Sequence, residues 1–237
     1  MKTLSIIIPA YNEENHIIST LDLILKEEKN NPFDLLEIVV VDDGSTDNTN
    51  NVVDEYSLRD ERIRCIDYGV NKGKGAAIKY GMENTLGDYK IFLDADGSTH
   101  IDSVNDLLID MFKNEYDILI GSRAKEMGGK ILVRQSKKRS QLGGVGVILV
   151  KRLLSMPIID TQCGCKIFKK NIAADIFYDL KIKGWMFDCE ILYKASKNGY
   201  IIKEKGVKWS HEGDSKVNLI SYFKSFIDLI RIKINNL

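Results

Sequence analysis

Five short apolar runs rich in β-branched residues, "TLSIIIP", "LEIVVVD", "ERIRCID", "YKIFLD" and "YDILIGS", recur through residues 1–122. Segments of helical periodicity separate them: Glu13 to Lys29, a stretch that Thr46 or Asp47 would cap, "GKGAAIKYGMENT" and "DSVNDLLIDMF". Strands this apolar need cover on both faces, and a helix after each strand supplies it. The pattern therefore predicts an α/β fold, a mostly parallel sheet flanked by helices. The 237 residues have room for one large domain or two small ones, and only three prolines occur, with no low-complexity linker.

In such sheets ligands bind beyond the carboxyl ends of the strands. Those ends are polar here: Pro9-Ala10-Tyr11-Asn12-Glu13, Asp42-Asp43-Gly44-Ser45, Asp94-Ala95-Asp96 and Gly121-Ser122-Arg123. Any one of them reads as a turn or a helix cap. Four along one edge read as a site.

Asp94 and Asp96 pose the sharpest question, because two carboxylates one residue apart close an apolar strand. They repel, and desolvating either unpaired costs several kcal/mol. A cation between them, or water, is required. An EF-hand fails, since its sixth and twelfth positions would be Thr99 and Asn105. "NKGKGAA" lacks P-loop spacing, no GxGxxG follows the first strand, and His16, His100 and His211 have no nucleophile-elbow serine nearby. What remains is Mg²⁺ or Mn²⁺ with a diphosphate, held by oxygen ligands. Asp96 would bind the metal, Asp94 the metal or a ribose hydroxyl, and Asp43 a base N–H.

Composition, with 44% hydrophobic and 29% charged residues, is that of a soluble globular protein. The net charge of zero hides an asymmetry: 11 Lys/Arg against 24 Asp/Glu up to residue 122, and 23 against 10 after it. The stretch Arg123 to Arg152 holds nine bases and one acid, Glu126. It is either a surface for an anion, a phosphate or an anionic membrane, or a solvated loop and helix face. Cys65, Cys163, Cys165 and Cys189 are expected as free thiols, since no secretory signal precedes them and Cys163-x-Cys165 lacks further zinc ligands. No run approaches the roughly 20 apolar residues of a membrane span.

The motifs "SIIIPAYNEEN", "VVVDDGSTDNT", "NKGKGAAIKYGM", "FLDADGS" and "IGSR", in this order, resemble the family 2 glycosyltransferases of GT-A (Rossmann-like) fold. "DTQCGCKIF", "GWMFDCEILY" and "VKWSHEGDSKV" are similar to the dolichyl-phosphate glucosyltransferase branch, with polyprenyl-phosphate mannosyl enzymes as relatives. The resemblance runs from about Leu4 to Lys216, and the QxxRW motif of processive synthases is absent. It implies a single catalytic domain over residues 1–216 that moves a hexose, glucose from UDP-glucose foremost, to a polyprenyl phosphate. A GDP-mannose-dependent mannosyltransferase, or an enzyme acting on a sugar hydroxyl, is the alternative. A nucleotidyltransferase is disfavoured by the acidic loop after the first strand, and a non-catalytic binding module by the retained carboxylates.

Carried over by position, the resemblance places Pro9, Tyr11, Glu13, Val41, Asp43, Lys74, Asp94, Ala95 and Asp96 at the nucleotide-sugar. Asp96 and Asp94 would bind the metal, with Ser98 where mannosyl relatives have a glutamine ligand. Arg123 would face the phosphates. The acceptor phosphate, already a nucleophilic dianion near neutral pH, needs cations rather than a base. Arg134, Arg139 and Lys216 are the cations the resemblance supplies, arginine suiting phosphate by its planar fork. Asp188 is the candidate base for a hydroxyl acceptor, or simply a carboxylate at a helix N-terminus. Partners are then a nucleotide-sugar, a lipid-linked phosphate and the cytoplasmic face of a membrane, with no nucleic acid. Residues 217–237 place Leu219, Ile220, Phe223, Phe226, Ile227, Ile230 and Ile234 at helical spacing beside Lys224, Arg231 and Lys233. That helix would lie in a membrane interface or pack on the core. A helix from Gly143 to Leu154 would serve the same surface.

Overall fold

The computed structural model describes residues 2–114, 116–133, 149–211 and 219–235. The five expected strands form as β1 (Thr3–Ala10), β2 (Asp34–Asp42), β3 (Ile63–Asp67), β4 (Tyr89–Leu93) and β5 (Ile118–Ser122). Between them lie α1 (Ile17–Glu27), α2 (Thr49–Ser57), α3 (Lys74–Glu83) and α4 (Ile101–Lys113). There follow β6 (Lys130–Val133), α5 over the described residues 149–154, β7 (Cys165–Lys169), α6 (Lys170–Tyr178), α7 (Phe187–Lys197), β8 (Ile202–Gly206), β9 (Lys208–Ser210) and α8 (Leu219–Asn235). Residues 143–148 of the expected helix lie outside the described residues.

Seven strands form one sheet in the order β3-β2-β1-β4-β7-β5-β8, and β6 pairs with β9 in a two-stranded ribbon. All pairings in the large sheet are parallel except those of β7, which runs antiparallel between β4 and β5. The sequence pattern does not predict this strand, because Cys-Lys-Ile-Phe-Lys carries two lysines in five residues. Side chains alternate between two cores, as the strand period of two demands. Ile7, Val39, Val41 and Phe92 face α3, α6 and α7, whereas Ile6, Ile8, Val40, Ile91 and Leu93 face α1, α2 and α4.

The first helix begins at Ile17, four residues later than its periodicity suggests. The reason is long-range: the Glu13 N–H goes to Thr49 Oγ1 at 2.8 Å and the Glu14 N–H to Asp47 Oδ2 at 3.2 Å. Helix α8 packs on the core by part of its apolar surface only. Leu229 and Ile232 are buried in the core that α7 lines, while Phe223, Phe226, Ile230 and Ile234 are exposed, Phe223 by 67%. Among the described residues no helix is long and apolar enough to cross a membrane.

Lys166, the second residue of β7, is fully buried. Its Nζ donates to Asp188 Oδ1 at 2.5 Å and to the Cys163 carbonyl at 2.7 Å. The pair ties β7 to the N-terminus of α7. Removing one member of a buried pair strands the other charge and costs about 3–5 kcal/mol. Lys166→Met is expected to lower the urea midpoint accordingly with an unchanged slope, and adding Asp188→Asn should recover part of the loss. Equilibrium denaturation of the two variants checks this.

Candidate active site

The site is built where β4 ends. The Asp94 N–H bonds the Gly164 carbonyl at 3.1 Å, so β7 positions the turn. A Cβ on Gly164 would collide with the Asp94 carboxylate; only glycine leaves it room there. Lys74, the first residue of α3, donates to Asp94 Oδ1 at 2.5 Å. This is the cation that the paired carboxylates call for. It is held in place from outside its helix: the Gly75 N–H bonds the Lys183 carbonyl at 2.7 Å. That approach also needs a glycine, since a Cβ at position 75 would come 2.6 Å from the Ile182 oxygen.

Asp96 accepts the Ser98 N–H at 2.9 Å. Burial, and then the Asp94 charge, push its carboxyl above the ordinary range; the hydrogen bonds from Ser98 work against this. Ser98 is buried, and its carbonyl takes the Ser210 N–H at 2.9 Å, which joins the Asp96 turn to β9. The Asp94 charge also acts on Lys74, Arg123 and Asp188, so these side chains share one electrostatic neighbourhood.

Arg123, just after β5, turns its fork onto Asp160. Its backbone N–H, Nε and Nη2 all reach that carboxylate at 2.8 Å. Burial opposes the guanidinium charge, yet Asp160 outweighs it and holds the group firmly charged. Asp160 is fixed in turn by its own N–H to Glu204 Oε1 at 2.8 Å. Trp209 lies 5.5 Å from the Arg123 guanidinium, and Trp185 lies 5.5 Å from the Lys74 ammonium. The two tryptophans of the chain thus flank the two cations.

The β1 and β2 loops form the adjoining wall. Asn12, with φ of 53°, takes the Ser45 hydroxyl as acceptor at 2.9 Å and receives the Thr46 N–H at 2.8 Å. Its neighbours Tyr11 and Glu13 stand in that loop, partly exposed, beyond the half-buried Pro9. Asp43 is buried and grips the loop before α3: Tyr68 Oη at 2.5 Å and the Lys72 N–H at 2.7 Å reach Oδ1, and the Gly73 N–H reaches Oδ2 at 2.9 Å. Val41 is wholly in the core, and the Ala95 carbonyl accepts from Thr20 Oγ1 at 2.8 Å. Arg134, Arg139 and Lys216 lie outside the described residues.

Asp188 sits at the first turn of α7, 5% exposed, with Lys166 on Oδ1. Burial raises its carboxyl pKa, against the pull of Lys166 and Lys74. Cys163 and Cys165 are buried free thiols, and burial pushes Cys163 up to about 12. Sequence reasoning missed Lys166, Asp160, Glu204, Gly164, Trp185 and Trp209. A lysine inside an apolar run was the one available signal.

Among the described residues there is no cluster of three or more His, Cys, Asp and Glu around one point. A divalent ion bound with a diphosphate does not need one. Mg²⁺ characteristically takes one or two carboxylates and completes its shell with phosphate oxygens and water. Asp94 and Asp96, both oxygen donors and both partly solvent-facing, fit that requirement.

The family model "Glycosyl transferase family 2" matches residues 5–177. The chain is 36% identical over 241 residues to the dolichyl-phosphate beta-glucosyltransferase of Dictyostelium discoideum, covering 97% of this chain and 73% of that one. It is 34% identical over 248 residues to the enzyme of that name from Homo sapiens, covering 100% and 76%. Among solved structures, it resembles glucosyl-3-phosphoglycerate synthase from Mycobacterium tuberculosis in complex with Mn²⁺, uridine diphosphate and glucosyl-3-phosphoglycerate. The TM-score is 0.71 at 18% identity, over 98% of this chain and 80% of that one, and the shared feature is the GT-A fold.

Asp96→Asn removes one charge and little volume. It is expected to keep the thermal transition and to lower Mn²⁺-supported affinity for a nucleoside diphosphate about 10²-fold, as losing several kcal/mol would. Calorimetric titrations with Mn²⁺ and with chelator check it; equal affinities in both variants and both buffers would remove the metal from this site.

Proposed function

The chain belongs to glycosyltransferase family 2, and on that premise we propose that it moves glucose from UDP-glucose to a polyprenyl (dolichyl-type) phosphate at a membrane surface. The relatives' activity supports the sugar and the acceptor class. The observation that carries the choice of acceptor is the burial of Asp188. A hydroxyl acceptor needs a carboxylate to take its proton, within about 3 Å of that hydroxyl. Asp188 is sealed behind Lys166 and serves as its counterion. A phosphate monoester, whose second pKa is near roughly 6, arrives deprotonated and needs no such base.

The acceptor oxygen attacks the anomeric carbon from the face opposite the diphosphate. The bond from that carbon to the UDP oxygen breaks with its electron pair, and the configuration inverts. Asp94 and Asp96 would hold Mg²⁺ or Mn²⁺, which supplies charge to the departing diphosphate as a Lewis acid. The Mycobacterium enzyme's Mn²⁺ and uridine diphosphate support that pairing. Tyr11, Glu13 and Asp43 line the nucleotide side, with Pro9, Val41 and Ala95 contributing backbone, and Arg123 presents positive charge towards the phosphates. Arg134, Arg139 and Lys216 supply the cations for the acceptor.

The membrane contact is assigned to α8. Phe223, Phe226, Ile230 and Ile234 form one exposed stripe, with Lys224 and Arg231 exposed beside it. An amphipathic helix of this kind lies in the headgroup boundary, bound by apolar burial and by attraction to anionic lipid. The cytoplasmic face of a membrane is the location this reading proposes.

A donor screen with polyprenyl phosphate tests the reaction directly: UDP-glucose should be consumed in a metal-dependent manner and GDP-mannose spared. Transfer to a sugar hydroxyl but not to the lipid phosphate would overturn the reading. Arg139→Ala should weaken acceptor capture about 10- to 150-fold, as loss of a charged hydrogen bond of about 1.5–3 kcal/mol does. UDP affinity should stay near normal, and separate titrations of the two ligands distinguish the outcomes.

Phe223→Ser with Phe226→Ser should reduce flotation with anionic liposomes and turnover of a long-chain acceptor, yet spare a short soluble one. Wild-type binding should weaken with salt without vanishing, since the charges are screened and the apolar contact is not. Unchanged flotation of the double variant would move the membrane contact off α8.

A further inference from the structure

Lys74 occupies one of the two oxygens that Asp94 would offer a metal. Its ammonium stands 2.5 Å from Asp94 Oδ1. A divalent ion on that oxygen would sit about 2.0–2.1 Å away, for Mg²⁺. Two cations so close to one oxygen repel. Nor is Lys74 placed to leave the site. It opens α3, whose next two N–H groups, of Gly75 and Ala76, are fixed on the Lys183 carbonyl at 2.7 and 3.2 Å. The Trp185 ring flanks the ammonium at 5.5 Å, and the charges of Asp188 and Asp96 act on it as well as that of Asp94. If it gives up Asp94, it stays within a few ångströms, facing anions.

We propose that Lys74 is a resident counterion that closes Asp94 to divalent cations in the ligand-free enzyme and yields it when the donor diphosphate arrives. The ammonium then transfers to phosphate oxygens, and the carboxylate to the metal. The inference rests on the metal-and-diphosphate reading of the site and adds an order to it. The cation enters with the donor, not before it. The diphosphate's negative charge draws Lys74 off Asp94 and holds two cations side by side that would otherwise exclude one another. Metal and nucleotide must therefore bind synergistically, and the coupling must be reciprocal.

The test uses the full chain and Mn²⁺, with the free ion read by electron paramagnetic resonance, with and without saturating UDP. Wild type should hold Mn²⁺ weakly alone and at least tenfold more tightly with UDP. Lys74→Met should tighten Mn²⁺ binding to the ligand-free protein about tenfold and shrink the enhancement by UDP. Lys74→Arg keeps the charge and should leave ligand-free Mn²⁺ affinity low. Adding Asp94→Asn to Lys74→Met should abolish the gain, which locates it. If Lys74→Met does not fold, Lys74→Gln is read the same way. A Lys74→Met protein that melts normally and binds Mn²⁺ no better than wild type without UDP overturns the counterion role. A wild-type protein that binds no Mn²⁺ even with UDP is a different failure, of the metal reading itself, and takes this inference down with it.

Discussion

The site depends on a lysine that should be expensive to bury. Lys166 lies in the middle of the sheet, fully excluded from solvent, and is made tolerable by Asp188 and the Cys163 carbonyl. Two well-packed hydrophobic residues in place of the pair would often serve stability as well or better. What the pair provides is register. It locks β7 against the first turn of α7, and β7 carries Gly164 to the underside of Asp94. The same helix places Glu190, whose carboxylate takes the N–H groups of Lys181 and Ile182, the latter at 2.7 Å. That fixes the loop whose Lys183 carbonyl holds the start of α3, and so Lys74. Both partners of the Asp94–Lys74 contact trace back to α7.

The charges in this region alternate: Asp94, Lys74, Asp188, Lys166. Each carboxylate has an ammonium beside it, Lys74 feels both Asp94 and Asp188, and Asp188 feels both ammoniums. This arrangement has a chemical cost. A buried carboxylate already committed to a lysine is poorly placed to collect a proton from an acceptor, which is the ground for the ionised nucleophile proposed above. Under the proposed function, architecture and acceptor class meet in this one buried pair.

Much of this was legible in the sequence, for identifiable reasons. β1, β2, β4 and β5 each hold an unbroken apolar run of three or more residues, mostly β-branched, so their strand character is legible without context. Asp94 and Asp96 stood out because like charges at the end of such a run require an explanation. β7 was hidden because its lysines look solvent-directed; nothing local reveals that Asp188, 22 residues on, receives one of them. Arg123 was turned towards the phosphates by the resemblance, and nothing in the sequence marked its carboxylate partner. Asp160, which takes its fork, sits in a loop with no periodicity to mark it. The start of α1 was misjudged because Thr49 and Asp47, over 30 residues away, draw off the N–H groups of Glu13 and Glu14. Each miss is a long-range polar contact overriding a local pattern.

Helix α8 shows why its two readings from sequence could not be separated by pattern alone. Its apolar residues are too many for one face. Leu229 and Ile232 turn towards the core, Lys233 stands 5.7 Å from the Tyr193 ring of α7, and Phe223, Phe226, Ile230 and Ile234 face outward. A helix bound only by its membrane face would be free to tilt against the catalytic domain. This one is fastened to α7, the element that also fixes Asp188 and the loop behind Lys74. Under the proposed docking, the surface that meets lipid is thus coupled through α7 and the loop that Glu190 holds to Lys74, the partner of Asp94. The separation between acceptor headgroup and donor sugar is then set by helix packing, not by the flexibility of a tether.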